Sequence, residues 1–260
     1  MQEMKTAGLI LTAVNLNDND RLFTIQTRDA GKITAISKGV RSHKHKDFAA
    51  LQPFCYSDMV LNKKTGLYYI SSASVINNFY DIRNSVEQTA FATYFTDVVK
   101  SFPEELLLED DYFSFVLNTL YLTSKAMSKC KNGDITGYLT RLKTVFELIT
   151  VCFAGFMPDV TACAFCGAKK DIEYFDTASG IVVCKNCHER AGGDLYKIND
   201  KILSQLSFIL NADYKSVFAY GGAEGDVETI SQIAEKYMIN SLEIFPASLT
   251  YLKNTVFGQK

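Results

Sequence analysis

The sequence predicts an α+β protein in which an N-terminal β-barrel is followed by a mostly α-helical domain with an inserted four-cysteine segment. Three observations support this prediction: β-rich runs between turn residues, an apolar period of three to four residues from about residue 81, and two Cys-x-x-Cys pairs. The predicted boundaries give a barrel domain over 1–80, a first helical part over 81–160, a cysteine segment over 161–192 and a C-terminal helical part over 193–260.

Five short β-rich runs predict the strands of the barrel. Turn residues separate them, and Asp29-Ala30-Gly31 is typical of a tight turn in which glycine supplies a positive φ. Five short strands within about 80 residues favour a small closed or partly open barrel. The predicted strands are 8–14, 21–28, 32–38, 56–62 and 67–76.

Helical periodicity replaces the strand pattern in the rest of the chain. The third helix is predicted to stop near Gly155 and Pro158, because glycine and proline end helices. Glu109-Asp110-Asp111 lies just before a predicted helix and is interpreted as N-terminal capping charge, with a site for a hard metal ion as the alternative. The predicted helices are 86–99, 113–127, 135–156, 202–210, 230–238 and 242–252, with a loop at 221–225.

Basic residues are concentrated near the N-terminus. The whole chain has 27 Lys and Arg against 29 Asp and Glu, a formal net charge of -2, so any nucleic-acid site must be local. Between Arg28 and Lys46 six basic residues face one acid, Asp29. Such spacing suits phosphate binding on a barrel, and a solvated basic loop is the alternative. The candidate DNA-binding residues are Arg28, Lys32, Lys38, Arg41, Lys44 and Lys46.

Aromatic side chains in the same 80 residues are candidates for stacking on bases. Most of them alternate with polar residues, so several must belong to the barrel core. The sequence does not sort them into the two groups. The candidates are Phe23, Phe48, Phe54, Tyr56, Tyr68 and Tyr69.

The cysteine pattern predicts a zinc site. Cys163, Cys166, Cys184 and Cys187 form CxxC-x17-CxxC, a spacing in which two tight turns present four thiolates to one cation. Four thiolates leave no open position for water, which favours a structural zinc over a catalytic one. The alternatives are four ordinary buried thiols, or His188 in place of one cysteine ligand. The remaining three of the seven cysteines are interpreted as small apolar residues, and a disulfide framework is not expected.

Signatures of catalysis are missing from the sequence. It contains no GxxxxGK[ST], GxGxxG, HExxH or GxSxG motif, and none of its three histidines has a carboxylate partner at a fixed spacing. A non-enzyme is therefore predicted, with an unrecognised nuclease as a remote alternative. The N-terminus lacks a signal peptide and no long apolar run is present, so a cytoplasmic location is expected.

Taken in order, these features resemble the RecO family of bacterial recombination mediators. The resemblance extends from about residue 5 to residue 190, and the C-terminal helices are compatible with it. It is carried by segments 8–11, 20–24, 27–32, 35–41, 51–54, 146–148 and 155–158, and by the pairs Cys163/Cys166 and Cys184/Cys187.

The resemblance implies an oligonucleotide-binding (OB) barrel, a helical domain and an inserted Zn²⁺ segment. It implies binding of single- and double-stranded DNA, strand annealing, partnership with RecR and the acidic tail of single-stranded DNA-binding protein, and help in loading RecA. A zinc-containing protein scaffold that does not bind DNA is the alternative. An apolar groove for the tail is expected between helices 91–99 and 113–122 or at 242–252, with Lys100, Lys125, Lys129, Arg141 or Lys143 as charge partners.

Overall fold

The structure is a computed structural model that describes residues 2–64, 66–103, 109–221 and 226–258. The chain divides into two compact units, Met1–Lys125 with Pro246–Lys260, and Ala126–Phe245. The domain boundaries at residues 80, 160 and 192 stay predictions. No described helix combines the length and the apolar character needed to cross a membrane.

Five strands of the first unit form a closed barrel in the order β1-β2-β3-β5-β4. β1 pairs through its first half with β4 and through its second half with β2, and a bulge lies between Ile10 and Thr12. Gly8 lies where both pairings meet, and a Cβ there would approach Ile25 Cγ2 to 2.8 Å. The strands are β1 Gln2–Asn15, β2 Arg21–Thr27, β3 Lys32–Ser37, β4 Tyr56–Lys64 and β5 Leu67–Asn77.

The barrel encloses an apolar core built from alternate strand residues. Phe23, Ile25 and Leu61 are fully buried there, and Leu51 joins them from the turns between β3 and β4. The predicted turn before β3 is confirmed, since Gly31 has φ 67°. The predicted start of β1 at residue 8 was wrong by six residues, because residues before Gly8 pair on one side only and carry polar side chains such as Glu3.

Three helices complete the first unit: α1 Val86–Ser101, α2 Asp110–Ser124 and α7 Ala247–Val256. The Ser85 side chain caps α1 by accepting a bond from the Gln88 N–H, and the Asp97 carboxylate accepts 3.0 and 2.8 Å bonds from the N–H and hydroxyl of Ser248 at the start of α7. The predicted acidic helix start is confirmed, because Asp110 and Asp111 form the first turn of α2.

The second unit contains helices α3 Ala126–Lys129, α4 Ile135–Phe153, α5 Asp200–Asn211 and α6 Val227–Leu242. α4 packs against α6 and ends before Gly155, whose φ of 87° suits a helix end, as predicted. A four-stranded sheet in the order β6-β8-β7-β9 follows α4. Its strands are β6 Asp159–Cys163, β7 Ile172–Asp176, β8 Ile181–Cys184 and β9 Leu195–Lys197.

The predicted helix 242–252 was wrong in its first part. α6 ends at Leu242, Glu243 adopts the left-handed conformation, and Pro246 precedes α7. Proline lacks an N–H and disfavours the helical conformation of the residue before it, so the chain cannot pass through Phe245 as a helix. The predicted loop at 221–225 lies, except for Gly221, outside the described residues.

Candidate metal centre and nucleic-acid interface

Two strand ends of the second unit bring the four predicted cysteine ligands together. β6 ends at Cys163 and β8 ends at Cys184. Because these strands are parallel neighbours, both Cys-x-x-Cys turns lie at the same end of the strands. The four Sγ atoms lie within 4.8 Å of one another. The Sγ atoms of Cys166 and Cys184 are 3.8 Å apart. The sequence spacing therefore corresponds to a real cluster of sulfurs.

Each Cys-x-x-Cys segment is folded as a tight turn by its own backbone. The Gly167 N–H donates to the Cys163 carbonyl at 2.8 Å, and Gly167 has φ 72°, a conformation that glycine adopts without strain. In the second turn the Cys187 N–H donates to the Cys184 carbonyl at 3.0 Å. These bonds hold both sulfurs of each pair on one side of their turn.

The sulfur geometry fits a tetrahedral zinc ion. With metal–sulfur bonds of about 2.3 Å, the sulfurs of a regular tetrahedron lie about 3.8 Å apart. Burial raises the pKa of the Cys163 thiol, but bonds from backbone N–H groups, that of Cys184 first, lower it overall to about 6. Burial and then the neighbouring sulfurs raise the pKa of Cys187 to about 12. Without a cation four thiolates so close would repel one another, and a divalent cation removes that repulsion.

His188 lies beside the cluster with its ring engaged elsewhere. Its Nδ1 is 2.7 Å from the Lys185 carbonyl oxygen, and the ring stacks on Tyr174 at a centroid distance of 5.2 Å. Among the described residues the cluster that could hold a metal consists of the four cysteines alone. Away from the cluster, burial raises the pKa of the Cys55 thiol and raises that of Cys152 to about 11, in keeping with their interpretation as small apolar residues.

The predicted basic residues divide between the two ends of the barrel. The Arg28 Nε lies 2.9 Å from the Asp110 Oδ1 at the start of α2, and this bond raises the pKa of the Arg28 guanidinium. The Lys32 ammonium donates to the carbonyl oxygens of Lys100 and Phe102 after α1. Both side chains therefore bond to groups at the ends of the neighbouring helices α1 and α2.

Lys38 and Lys46 lie together at the opposite end of β3, in a cleft of about 420 Å³. Lys32 begins β3 and Lys38 directly follows its last residue, so the two lysines lie about 20 Å apart at 3.3 Å per residue. The cleft is also lined by Lys64 and Tyr69, because β3 pairs with the start of β5. The Lys38 and Lys64 Nζ atoms lie 6.0 and 5.9 Å from the centroid of the Tyr69 ring.

Arg41 and Lys44 belong to the turns beyond the cleft. The Arg41 Nη1 donates to the Asn17 carbonyl at 2.7 Å, which ties this loop to the turn between β1 and β2. Lys44 is exposed. The structure thus brings together two of the six predicted residues, Lys38 and Lys46, and leaves Arg28 and Lys32 at the far end of the barrel.

Lys63 and Lys64 are the last two residues of β4 and were not among the predicted DNA-binding residues. Lys63 lies over the Tyr68 ring at 5.1 Å, next to the contact of Lys64 with Tyr69. The signal available was the pair of adjacent lysines at the end of a β-rich run, in the part of the chain where basic residues are in excess. The aromatic candidates are also sorted: Phe23 and Phe54 are core, whereas Tyr68 and Tyr69 are half-buried beside these lysines.

Two parts of the surface expected to bind an acidic tail need correction, the helix face of 91–99 and the charge partner Lys143. Phe91, Phe95 and Val99 are fully buried in the first unit, so their apolar faces are core. Lys143 is 2% exposed, and its Nζ lies 2.8 Å from Glu147 and 2.9 Å from Glu235. A lysine enclosed between two carboxylates in the helical packing of α4 and α6 does not face a partner.

A barrel with a basic cleft and a sheet with a four-cysteine cluster define a mixed α+β protein. Residues 1–79 match the family model described as "Recombination protein O N terminal", and residues 83–250 match "Recombination protein O C terminal". The chain belongs to the RecO family.

Curated relatives are similar over most of the chain. A DNA repair protein RecO from Acetivibrio thermocellus is 30% identical over 254 residues, which cover 97% of both chains. The DNA repair protein RecO from Caldicellulosiruptor saccharolyticus is 31% identical over 219 residues, 84% of each chain. That from Caldanaerobacter subterraneus subsp. tengcongensis is 26% identical over 244 residues, 94% of this chain and 95% of the relative.

Proposed function

We propose that this chain is a DNA-binding recombination mediator that acts in DNA repair without catalysing a reaction. In this proposal the barrel is an OB fold that binds single- and double-stranded DNA and anneals complementary strands. The observation that carries the proposal is the barrel cleft, which Lys38, Lys46, Lys64 and Tyr69 line, with the Lys38 and Lys64 ammonium groups 6.0 and 5.9 Å from the centroid of the Tyr69 ring. Three ammonium groups within one cleft supply charge for consecutive phosphates, and an accessible ring supplies a stacking face.

The zinc centre has a structural role in this proposal. Cys163, Cys166, Cys184 and Cys187 hold one Zn²⁺, which neutralises their thiolates and joins the two turns that end β6 and β8. The sulfur-only donor set leaves no position for substrate, which is in keeping with a protein that has no catalytic turnover. The ion stabilises the sheet that it links.

The partners follow from family membership and stay proposals for this chain. They are RecR, the C-terminal tail of single-stranded DNA-binding protein and, indirectly, RecA, which the mediator helps to load onto coated DNA. We place this activity in the cytoplasm at the nucleoid, where such DNA occurs.

DNA binding is expected to be strong at low salt and to weaken steeply as salt rises. Three phosphates neutralised by the cleft lysines correspond to a slope of about -2 for log affinity against log salt on single strands. Fluorescence anisotropy of a labelled single strand, measured over a series of salt concentrations, gives this slope. Absence of binding at the lowest salt would contradict the proposal.

A zinc-containing scaffold without DNA affinity is the second candidate. It is favoured by one observation, the engagement of Arg28 and Lys32 with neighbouring helix groups, together with the net charge of -2. The anisotropy measurement separates the two, because the scaffold binds no DNA at any salt concentration.

The acidic tail is proposed to bind a groove of about 660 Å³ along α5 in the second unit. Lys201, Gln205 and Phe208 lie on one face of this helix because they are separated by four and three residues. Phe208 is 46% exposed and offers an apolar contact, and Lys201 offers a positive charge. We propose this groove in place of the helix face of 91–99 that the sequence suggested, because that face is buried in the core.

A peptide that copies such a tail is expected to bind the full chain with a Kd in the micromolar range, about 8 kcal/mol. Phe208→Ala should weaken binding about tenfold or more, since it removes the apolar floor of the groove. Isothermal titration measures the Kd, with Tyr80→Ala, an exposed aromatic of the first unit, as the matched control. Equal affinity of both variants and the wild type would place the tail elsewhere.

A further inference from the structure

The second half of β5 has an open edge. The last registered pair of β3 with β5 is Ile36 with Tyr69, yet β5 continues to Asn77. Over that stretch its strand partner is β4, which in turn pairs with β1. Within the described ranges no other backbone group bonds to residues 71–76. Alternate N–H and C=O groups along this edge therefore face solvent.

This edge lacks the features by which proteins usually protect an open strand. Residues 67–77 read LYYISSASVIN, with no charged residue and no proline. Val75 and Ile76 are 43% and 47% exposed. The part of β1 before Gly8 also pairs with β4 alone, but it carries exposed Glu3 and Lys5. Charges and prolines discourage edge-to-edge pairing, so the second half of β5 is open to an incoming strand.

The chemistry of the edge favours an identical strand as its occupant. A two-fold antiparallel pairing places each residue opposite a residue from the same short stretch, and like charges in such a pairing repel. A strand of small hydroxyl and aliphatic residues without charges avoids that repulsion. It also offers no field that would attract a partner of opposite charge, so recognition depends on the backbone.

We propose that two copies of this chain associate through antiparallel pairing of their β5 edges over residues 71–75, centred on Ala73, which joins the two barrels by a continuous sheet and places Ser72 of each copy opposite Ser74 of the other. The paired segment is about 17 Å long. An interface of this size is small, so the dimer is weak and forms in the range of tens of micromolar. Because the contact uses the same surface on both copies, it closes at two.

Sedimentation equilibrium of the full-length chain tests the proposal. Between about 1 and 200 μM the mean mass is expected to rise from the 29.1 kDa of one chain toward twice that value. The double variant Ser72→Lys, Ser74→Lys should stay monomeric over this range, because it places lysines opposite lysines. A wild-type chain that stays monomeric, or that grows beyond two copies, overturns the proposal.

A charge-swap mixture identifies the contacting strand. The Ser72→Glu, Ser74→Glu variant is expected to be monomeric alone, and an equimolar mixture with the double lysine variant should recover a dimer at least as stable as the wild type. The matched control Ser101→Lys, Ser204→Lys adds the same charge on exposed helix positions and should dimerise normally. Thermal unfolding confirms that each variant is folded. A dimer that persists in the double lysine variant would assign the contact to another surface.

Discussion

Changing Cys163 to serine is expected to remove the bound zinc and to unfold the sheet formed by β6 to β9. Cys163 is buried at the end of β6, and its thiol has the pKa of about 6 that makes it a ready thiolate ligand. Structural zinc binding contributes apparent free energies of about 10–16 kcal/mol, and a hydroxyl in place of one thiolate loses most of that. Elemental analysis should find about one zinc per wild-type chain and little in the variant.

Cys130→Ser is the matched control for this experiment. Cys130 lies outside the sulfur cluster, and its Sγ donates to the Met127 carbonyl, a bond that a serine hydroxyl can also make. This variant should keep its zinc and its thermal stability. The Cys163→Ser chain should keep part of its DNA affinity, because the cleft belongs to the barrel. Wild-type protein that carries no metal when prepared without chelator would show that the zinc assignment is wrong.

The four-cysteine cluster could be predicted from the sequence because its information is local. Two residues between the cysteines of each pair produce a turn, whatever the rest of the chain does, and β6 and β8 then bring the turns together. The strand runs were predicted on the same local basis: the starts of β2 to β5 match the structure, and their ends lie within two residues of it. The start of β1 was predicted too late in the chain. Its first residues pair with β4 on one side only and include polar side chains, so they do not form the apolar run by which the strand was recognised.

The cleft lysines were harder to predict because their positions depend on distant parts of the chain. Lys38 meets Lys64 through the pairing of β3 with β5, and this closure brings together positions 26 residues apart in the sequence. The Lys32 ammonium donates to the Phe102 carbonyl oxygen at the end of α1, 70 residues further along the chain. A count of charges in a window cannot distinguish these two lysines, because each is defined by its tertiary partners.

Substitution of the three cleft lysines is the decisive test of the DNA site. The triple variant Lys38→Gln, Lys46→Gln, Lys64→Gln removes three positive charges and keeps polar side chains at exposed positions. The slope of log affinity against log salt should flatten by about 2, because each neutralised phosphate contributes about 0.7 on single strands. At 0.1 M salt this corresponds to an affinity about 100-fold lower.

The matched control removes the same charge from the rest of the basic segment. Arg28→Gln, Lys32→Gln, Lys44→Gln should leave the slope nearly unchanged, because Arg28 and Lys32 contact helix groups about 20 Å along the barrel from the cleft. Tyr69→Ala should cost about 1–3 kcal/mol if a base stacks on the ring, whereas Tyr69→Phe should retain the affinity. If both triple variants lose affinity equally, the whole basic segment binds DNA. If only the control loses affinity, the site lies outside the cleft, either at the end of the barrel where α1 ends and α2 begins or at Lys44 in the turns beyond the cleft.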